Sequence, residues 1–234
     1  MKKVFLGVGH GGTDSGAVGN GLKEKDLNLK IALACRDELK AYGVDVGMSR
    51  TKDENDTLNE EVKECNAFSP DLAVDIHNNA GGGDGAEVYY HYKGGVSKTL
   101  AENINAQIVK IGQNSRGIKT RLNSSGTDYY GFIRMTKAPA VIVECAFIDN
   151  AKDIKIVDTA AEQKTMGVAI AKGILKTLGI EAKPVTKPNT NTSTDTGKLY
   201  RVQVGAYKDK ANADAMLAKL KKAGFDGVIV ETAK

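Results

Sequence analysis

The sequence predicts an α/β fold: a mostly parallel, twisted sheet with helices on both faces, followed by a linker and a small C-terminal β-α-β module. Short apolar segments with strand character alternate with longer segments of helical periodicity up to about residue 178. This alternation is typical of parallel sheets that helices cover on both faces. A stretch of about 180 residues is long enough to bury a full hydrophobic core. The composition, with 41% hydrophobic and 26% charged residues, excludes wholesale disorder.

The first half of the predicted domain alternates strands and helices, and glycine or proline marks most of the boundaries. Residues 25–42 contain neither Gly nor Pro and carry apolar residues at helical spacing, so they predict a helix that ends at Gly43. Thr57 and Glu60 have the spacing of a capping box, which predicts the start of a second helix. The predicted elements are strands at 4–8, 44–48 and 72–76 and helices at 25–42 and 57–68.

The second half continues the same alternation. An apolar run at residues 140–145 follows Pro139 and predicts a buried strand. Residues 159–178 predict a long closing helix that ends at Gly179. Before residue 140, the pattern also favours a strand at 87–92 and an amphipathic helix at 97–111.

Residues 181–198 (EAKPVTKPNTNTSTDTGK) contain two prolines and many Thr, Asn and Ser residues, but almost no apolar side chains. This composition predicts a flexible linker between a domain at residues 1–180 and a module at residues 199–234. In the module, strand patterns at 199–205 and 227–231 flank a helical pattern at 210–223.

The composition also excludes several classes of protein. No apolar run approaches the ~20 residues needed to cross a bilayer, so we expect no membrane association. Residues 181–234 contain ten Lys/Arg and six Asp/Glu, which accounts for the whole net charge of +4 and is too weak to indicate nucleic-acid binding. Three cysteines without a C-x-x-C pair indicate neither a disulfide framework nor a cysteine zinc site.

Four chemically capable residues lie at the ends of predicted elements. His10, His77 and Glu144 lie at or near the ends of three predicted strands, and Glu24 lies just before the first long helix. In open α/β sheets, ligands bind beyond the carboxyl ends of the strands. Two imidazoles and one carboxylate form an open zinc site with a water in the fourth position. The remaining glutamate is then free to act as a general base, and placement alone does not say which glutamate takes which role.

A second motif at the first strand end suggests a different chemistry. Residues 7–12 (GVGHGG) satisfy the G-x-G-x-x-G pattern of dinucleotide-binding proteins. That pattern opens directly into a helix, whose N-terminus holds the pyrophosphate. Here glycines and polar residues continue to Gly21, and the helix begins only near Glu24. We therefore do not expect nucleotide binding.

Three separated motifs lie within residues 1–180. They are GHGG at 9–12 with DSGA at 14–17, Gly21 and Glu24, then DIHNNA at 75–80, then PAVIVECAFIDN at 139–150. In this order they resemble the motifs of the zinc-dependent N-acetylmuramoyl-L-alanine amidases (the amidase_3 family), and the resemblance extends from about residue 2 to residue 178. It implies hydrolysis of the amide bond between N-acetylmuramic acid and L-alanine in peptidoglycan, with one Zn²⁺ in the catalytic domain.

The resemblance also implies a role for each of the four residues. It makes His10, Glu24 and His77 the zinc ligands and Glu144 the catalytic base, which takes a proton from the attacking water. The same metal set would serve a zinc peptidase that cuts within the stem peptide, which is the first alternative. The second alternative is a non-catalytic wall-binding protein, which would have no use for Glu144 as a base.

Substrate contacts are predicted from residues near these motifs. The family often has Ser and Ala around the second histidine, where this chain has Asp75 and Asn78, so contacts to substrate can differ there. Arg116 and Lys119 precede a polar loop at residues 122–131 that could line the substrate groove. We take Asn78, Arg116 and Lys119 as candidate substrate contacts, with solvated surface charges as the alternative for the two cations.

The C-terminal module carries a resemblance of its own. Residues 200–207 (YRVQVGAY), 211–224 and 228–230 resemble the first half of a SPOR domain, a peptidoglycan-binding module. SPOR domains are β-α-β-β-α-β, whereas this chain ends after the first β-α-β. A unit of this size buries too little apolar surface to fold stably alone. We therefore expect either a poorly ordered or truncated tail, or a homodimer in which two tails pair.

The N-terminus suggests how such an enzyme reaches its substrate. Residues 1–10 lack the run of about 7–15 apolar residues that a secretion signal requires. We expect a protein made in the cytoplasm that acts on the cell wall after release, as a phage or prophage endolysin or as an autolysin.

Overall fold

The computed structural model describes residues 1–181, 205–222 and 228–231. The chain divides into two compact units, Met1–Val185 and Thr186–Lys234. Among the described residues, the first unit contains all of the strands and all of the helices except one. None of the described helices is both long enough and apolar enough to cross a membrane.

A six-stranded sheet forms the centre of the first unit. Its strands are β1 (Lys3–Val8), β4 (Asp45–Met48), β5 (Leu72–Asn79), β6 (Ala86–Tyr90), β7 (Ser115–Lys119) and β8 (Ala140–Phe147), and a separate hairpin contains β2 (Val18–Gly19) and β3 (Leu22–Lys23). The strand order is β4-β1-β5-β8-β6-β7. All neighbours are parallel except β8 and β6, which are antiparallel. The predicted α/β class with a mostly parallel sheet is therefore confirmed.

Five helices pack on this sheet. They are α1 (Glu24–Ala41), α2 (Leu58–Phe68), α3 (Val96–Lys110), α4 (Gly131–Met135) and α5 (Ala160–Thr177). The larger core lies between the sheet and helices α1, α3 and α5, and the smaller core lies under α2 and α4 on the opposite face. The predicted capping box of Thr57 and Glu60 forms at the start of α2. A second capping box, of Thr159 and Glu162, forms at the start of α5.

The smaller core covers only part of its face of the sheet. Side chains alternate between the two faces along each strand. Along β5 the smaller core includes Ala73, and along β8 it includes Ala140 and Ile142. Further along the same face come His77 on β5 and Glu144 on β8. Polar groups are thus placed beyond the apolar cover, at the carboxyl ends of the two central strands.

The structure also contains elements that the sequence did not predict. The hairpin β2–β3, strand β7, helix α4 and a short 3₁₀ helix at Asp153–Ile156 contain only two to five residues each, too few to show a clear hydrophobic period. The three cysteines are buried, and none of them forms a disulfide.

The second unit is described only in part. Helix α6 (Lys210–Lys222) forms where a helix was predicted. All but the first residue of the predicted linker at 181–198, and most of the predicted strand at 199–205, lie outside the described residues. Residues 228–231 carry no strand, although the sequence predicts one at 227–231.

Candidate metal centre and active site

The ends of β1 and β5 bring two histidine rings together. His10 lies two residues beyond β1 in the left-handed backbone region, with φ of 63°. Gly9 precedes it, and a Cβ added to Gly9 would lie 2.1 Å from Cε1 of His77. The absence of a side chain at Gly9 therefore gives His77 its space. The ring centroids of His10 and His77 are 5.1 Å apart, with an edge-to-face arrangement.

Glu24, the first residue of α1, lies between the two histidines. Its Oε1 is 3.0 Å from Nδ1 of His77, and its Oε2 is 3.2 Å from Nε2 of His10. Ligand atoms of all three residues lie within 4.8 Å of one another. In a tetrahedral zinc site with bonds of about 2.0–2.2 Å, ligand atoms are about 3.3 Å apart. The three residues therefore fit a divalent zinc ion by donor type and by spacing.

A carboxylate contacts the second ring nitrogen of each histidine. Asp14 Oδ2 is 2.8 Å from Nδ1 of His10, and Asp75 Oδ2 is 3.1 Å from Nε2 of His77. A carboxylate that accepts from the outer N–H fixes the tautomer, so that the other nitrogen is free to bind a metal. His10 therefore offers Nε2 and His77 offers Nδ1. Asp75 contacts His77 on the ring nitrogen that does not face Glu24.

These contacts also set the charges of the metal-free site. Burial acts to raise the pKa of Glu24, but its hydrogen bonds with His10 and His77 hold that pKa well below its ordinary value. The hydrogen bond with Glu24 raises the pKa of His10. Burial acts to lower the pKa of His77, but Asp75 and Glu24 raise it well above its ordinary value. Both histidines thus favour the protonated form until a metal displaces the protons.

The loop before α1 and the end of β5 hold the carboxylate of Glu24 in place. Its Oε2 accepts a hydrogen bond of 2.9 Å from the backbone N–H of Ala17, and its Oε1 accepts one of 3.1 Å from that of Asn78. The amide of Asn28, one turn along α1, lies 3.3 Å from Oε1. Both oxygens of Glu24 are therefore oriented toward the histidines.

Asn78, a candidate substrate contact, has its side chain in the interior of the domain. The sequence predicts a strand that ends at residue 76, but β5 continues to Asn79. Alternation along the longer strand turns Asn78 to the opposite face from His77. Its side chain is only 2% exposed and its Nδ2 donates to Oδ1 of Asn28. The backbone of Asn78 thus contacts Glu24, and its side-chain amide contacts Asn28, which also lies beside Glu24.

Glu144 lies on β8 directly opposite His77 on β5. Burial raises the pKa of Glu144 to about 7, and the negative charges of Glu24 and Asp75 act in the same direction, against the charge of His77. Its Oε2 is buried and has no hydrogen-bond partner among the described residues. A carboxylate with a raised pKa and an unpartnered oxygen next to a metal centre has the properties of a general base.

A second buried acid lies behind Asp75. Glu61 of α2 and Asp75 both point at Gly7, where an added Cβ would lie 2.2 Å from Glu61 Oε1 and 2.7 Å from Asp75 Oδ1. Neither of these oxygens has a hydrogen-bond partner among the described residues. Burial and the neighbouring carboxylate of Asp75 raise the pKa of Glu61 well above its ordinary value.

Arg116 and Lys119 lie on β7, at the edge of the sheet. Their Nε and Nζ atoms are 2.5 and 2.6 Å from the same oxygen, Oε1 of Glu87. Glu87 is buried and lies directly opposite Glu144 in the antiparallel pairing of β6 with β8. The two predicted substrate contacts are thus both paired with Glu87, which lies on the strand next to that of Glu144.

Arg50 is a structural residue of the site that sequence reasoning missed. Its guanidinium is buried and donates to the backbone carbonyls of Val8 and Lys25, at 3.0 and 2.7 Å, with a longer contact of 3.3 Å to Gly9. These carbonyls lie beside His10 on one segment and beside Glu24 on the other. Arg50 therefore connects the two segments that carry His10 and Glu24, the first two candidate metal ligands. Contacts with three separate backbone carbonyls leave no sequence pattern from which this role could be predicted.

Two family profiles match this chain. The amidase_3 profile, described as N-acetylmuramoyl-L-alanine amidase, matches residues 4–176, and the SPOR domain profile matches residues 171–231. The chain is 33% identical over 233 residues to the N-acetylmuramoyl-L-alanine amidase CwlM of Bacillus licheniformis, covering 98% of this chain and 85% of CwlM. It is also 33% identical over 235 residues to the endolysin of Bacillus phage SPP1, covering 96% of this chain and 82% of the endolysin.

Solved structures share the fold of the first unit. Cwp6 from Clostridium difficile superimposes with a TM-score of 0.74 at 41% identity, over 76% of this chain and 29% of Cwp6. The catalytic domain of CwlV, an N-acetylmuramoyl-L-alanine amidase from Bacillus (Paenibacillus) polymyxa var. colistinus, superimposes with a TM-score of 0.70 at 31% identity. That match covers 77% of this chain and 100% of the CwlV domain. The chain therefore belongs to the amidase_3 family of N-acetylmuramoyl-L-alanine amidases and carries a SPOR domain.

Proposed function

We propose that this chain hydrolyses the amide bond between N-acetylmuramic acid and L-alanine in peptidoglycan, with Zn²⁺ held by His10, Glu24 and His77. The observation that carries the proposal is the convergence of these three donors beside Glu144 at the carboxyl ends of β1, β5 and β8. Membership of the amidase_3 family supports the same activity.

The residues of the chain divide the chemical work between them. When bound, Zn²⁺ supplies a Lewis acid that acidifies water and polarises the scissile carbonyl. Glu144 accepts the proton of the attacking water and then delivers it to the departing amine of L-alanine. A C–O bond forms at the lactyl carbonyl as the C–N bond breaks. Asp14 and Asp75 hold the two histidines in the tautomers that ligation requires.

No nucleophilic side chain is needed for this reaction. Cys145 follows Glu144 but belongs to the larger core, on the opposite face of the sheet. Burial raises the pKa of its thiol well above the ordinary value, and a buried thiol is a poor nucleophile. The proposed hydrolysis therefore proceeds by direct attack of water, without a covalent intermediate.

We further propose that residues 1–180 form the catalytic domain, that residues 181–198 are a linker and that residues 199–234 bind the cell wall. The SPOR match supports peptidoglycan as the partner of the C-terminal part. Pairing of two C-terminal modules would give a homodimer with a composite wall-binding surface. Release from the cytoplasm to the wall, as in an endolysin or autolysin, remains part of the same proposal.

Product analysis distinguishes the proposed reaction from a zinc peptidase. Purified peptidoglycan is digested with the zinc-loaded protein, and the fragments are identified by mass spectrometry. Amidase action releases stem peptides with a free L-alanine amino group and leaves intact lactyl-muramic sugars. A peptidase would instead create a new N-terminus inside the stem peptide, which would refute the proposed bond specificity. A wall-binding protein would release nothing.

A further inference from the structure

Two cations converge on one buried carboxylate next to the candidate active site. Glu87 is 3% exposed, and its Oε1 accepts from Nε of Arg116 and Nζ of Lys119, at 2.5 and 2.6 Å. Its Oε2 accepts from the hydroxyl of Tyr89 at 2.8 Å, with the amide of Asn79 at 3.3 Å. Glu87 is thus held by four donors from three strands, which fixes the positions of both cations.

This cluster lies on the same face as the proposed chemistry. His77, Glu144 and Glu87 form a row across β5, β8 and β6, because each residue is directly paired with the next. Side chains of directly paired residues lie on the same face of a sheet. Neighbouring strands are about 4.8 Å apart, so the row spans about 10 Å. The cations therefore lie beyond Glu144, on the side away from the metal ligands.

The cluster has more positive than negative charge. Burial acts to raise the pKa of Glu87, but the hydrogen bonds from Lys119 and Arg116 lower it below its ordinary value, so Glu87 is charged. One negative charge then faces two positive charges. The nearby carboxylate of Asp84 is 3.2 Å from the amide of Asn114, and it has no ion pair with either cation among the described residues. One positive charge is left for an incoming anion.

The free donors of both cations are accessible. The side chains of Arg116 and Lys119 are 42% and 33% exposed. Arg116 lies over the ring of Phe147, with Cζ 5.2 Å from the ring centroid, and this contact limits the motion of the guanidinium. Only its Nε contacts Glu87, and among the residues that the structure describes the two terminal nitrogens have no hydrogen-bond partner, so they can donate to a ligand. Two parallel N–H groups of this kind match the geometry of a carboxylate.

We infer that Arg116 and Lys119 form a carboxylate-binding subsite, positioned by Glu87, that recognises a free α-carboxylate on the second residue of the stem peptide. The inference rests on the proposed function, since it assumes that the muramoyl–alanine bond lies at the metal centre. A substrate with its scissile carbonyl beside Glu144 extends its peptide along the row toward the two cations. A carboxamide in place of the carboxylate has no charge to pair with them, so amidated stem peptides are poorer substrates.

The test uses two muramoyl tripeptides that differ only in this group, which is a free carboxylate in one and a carboxamide in the other. A charge-assisted pair predicts that kcat/KM for the carboxylate form exceeds that for the carboxamide form by about tenfold or more. In Arg116→Gln and in Lys119→Gln the ratio falls toward one. Lys98→Gln, an exposed lysine on α3 (51% exposed), is the matched control and keeps the wild-type ratio.

Equal kcat/KM values for the two peptides in the wild type would overturn the subsite and leave the amidase proposal intact. So would a loss in Arg116→Gln that is the same for both peptides. Binding of the same peptides to the zinc-loaded Glu144→Gln variant, measured by calorimetry, tests the subsite without turnover. Tighter binding of the carboxylate form supports the subsite even if cleavage occurs at another bond, whereas equal affinities refute it.

Discussion

Glu144 is directly paired with His77 across the parallel strands β5 and β8. The carboxylate proposed as the base and an imidazole proposed as a metal ligand are thus held side by side by backbone hydrogen bonds of the two central strands. Their separation depends on the register of the sheet and not on a loop. A rigid sheet is a suitable support for two groups that must act on the same water.

Replacement of Asp75 should weaken metal binding, although Asp75 contacts only the proposed ligand His77 and is not itself a proposed ligand. In Asp75→Asn the contact with Nε2 of His77 loses its charge, and the tautomer of His77 is no longer fixed. Loss of such a partner typically costs about 10–100-fold in metal affinity. We expect this loss in a competition titration between the protein and a zinc chelator. Asp71→Asn, at the other end of β5, is the control, and an equal loss there would contradict a specific role for Asp75.

The raised pKa of Glu144 predicts that the metal-free protein loses stability as the pH rises. The group titrates near 7 in the folded chain and at its ordinary value of 4.5 when unfolded, so the folded state binds the proton more tightly. Its stabilising contribution is complete below about pH 4.5 and is lost as the pH rises through about 7, by about 1–3 kcal/mol. Glu144→Gln does not suffer this loss.

Urea unfolding of chelator-treated protein at pH 4 and pH 8 tests the pH dependence. The free energy of unfolding of Glu144→Gln relative to wild type should increase between the two pH values. Glu102→Gln, an exposed glutamate on α3, should show no such increase. A relative stability of Glu144→Gln that is the same at both pH values would contradict the raised pKa.

Arg50 should be important for stability and for the metal centre together. Replacement by Met removes the buried guanidinium that donates to the carbonyls of Val8 and Lys25, and unsatisfied buried groups cost about 1–3 kcal/mol each. We expect a loss of about 2–5 kcal/mol in the free energy of unfolding of Arg50→Met, together with weaker zinc binding. Arg36→Met, at a half-buried position of α1 whose ion-pair partner is the neighbouring Asp37, is the control. Wild-type stability of Arg50→Met would contradict the bridging role.

The small size of the C-terminal module leads us to expect a homodimer. Two short modules that pair would bury apolar surface that one leaves exposed. Light scattering should therefore report a dimer for the full chain and a monomer for residues 1–180 at tens of micromolar. Monomers in both cases would contradict the pairing, and dimers in both cases would move the interface to the catalytic domain.

The four central residues could be predicted from the sequence because a parallel sheet makes strand ends meet. His10, His77 and Glu144 each follow or end an apolar run, and Glu24 opens a helix with clear periodicity. Apolar runs and helical periodicity can be recognised in a single sequence. The roles of the two glutamates were implied by family resemblance and not by the pattern.

Other features could not be predicted because they depend on which strands become neighbours. The antiparallel pairing of β6 with β8, which brings Glu87 beside Glu144, leaves no local pattern. Strand β7 is short and contains the charged residues Arg116 and Lys119, so its sequence does not show the pattern of a strand. The direction of the Asn78 side chain depends on the length of β5, which continues to Asn79, and strand ends are the least certain part of any such prediction.

The measurement that tests the account most directly is zinc content and turnover determined on the same samples of Glu144→Gln and His77→Ala. We predict that Glu144→Gln binds one zinc per chain and loses about 10²–10⁴ in turnover, the usual cost of removing a general base. We predict that His77→Ala loses both zinc and turnover, with wild-type protein as the reference for each. Loss of zinc from Glu144→Gln, or full turnover in His77→Ala, would contradict the assignment of ligands and base.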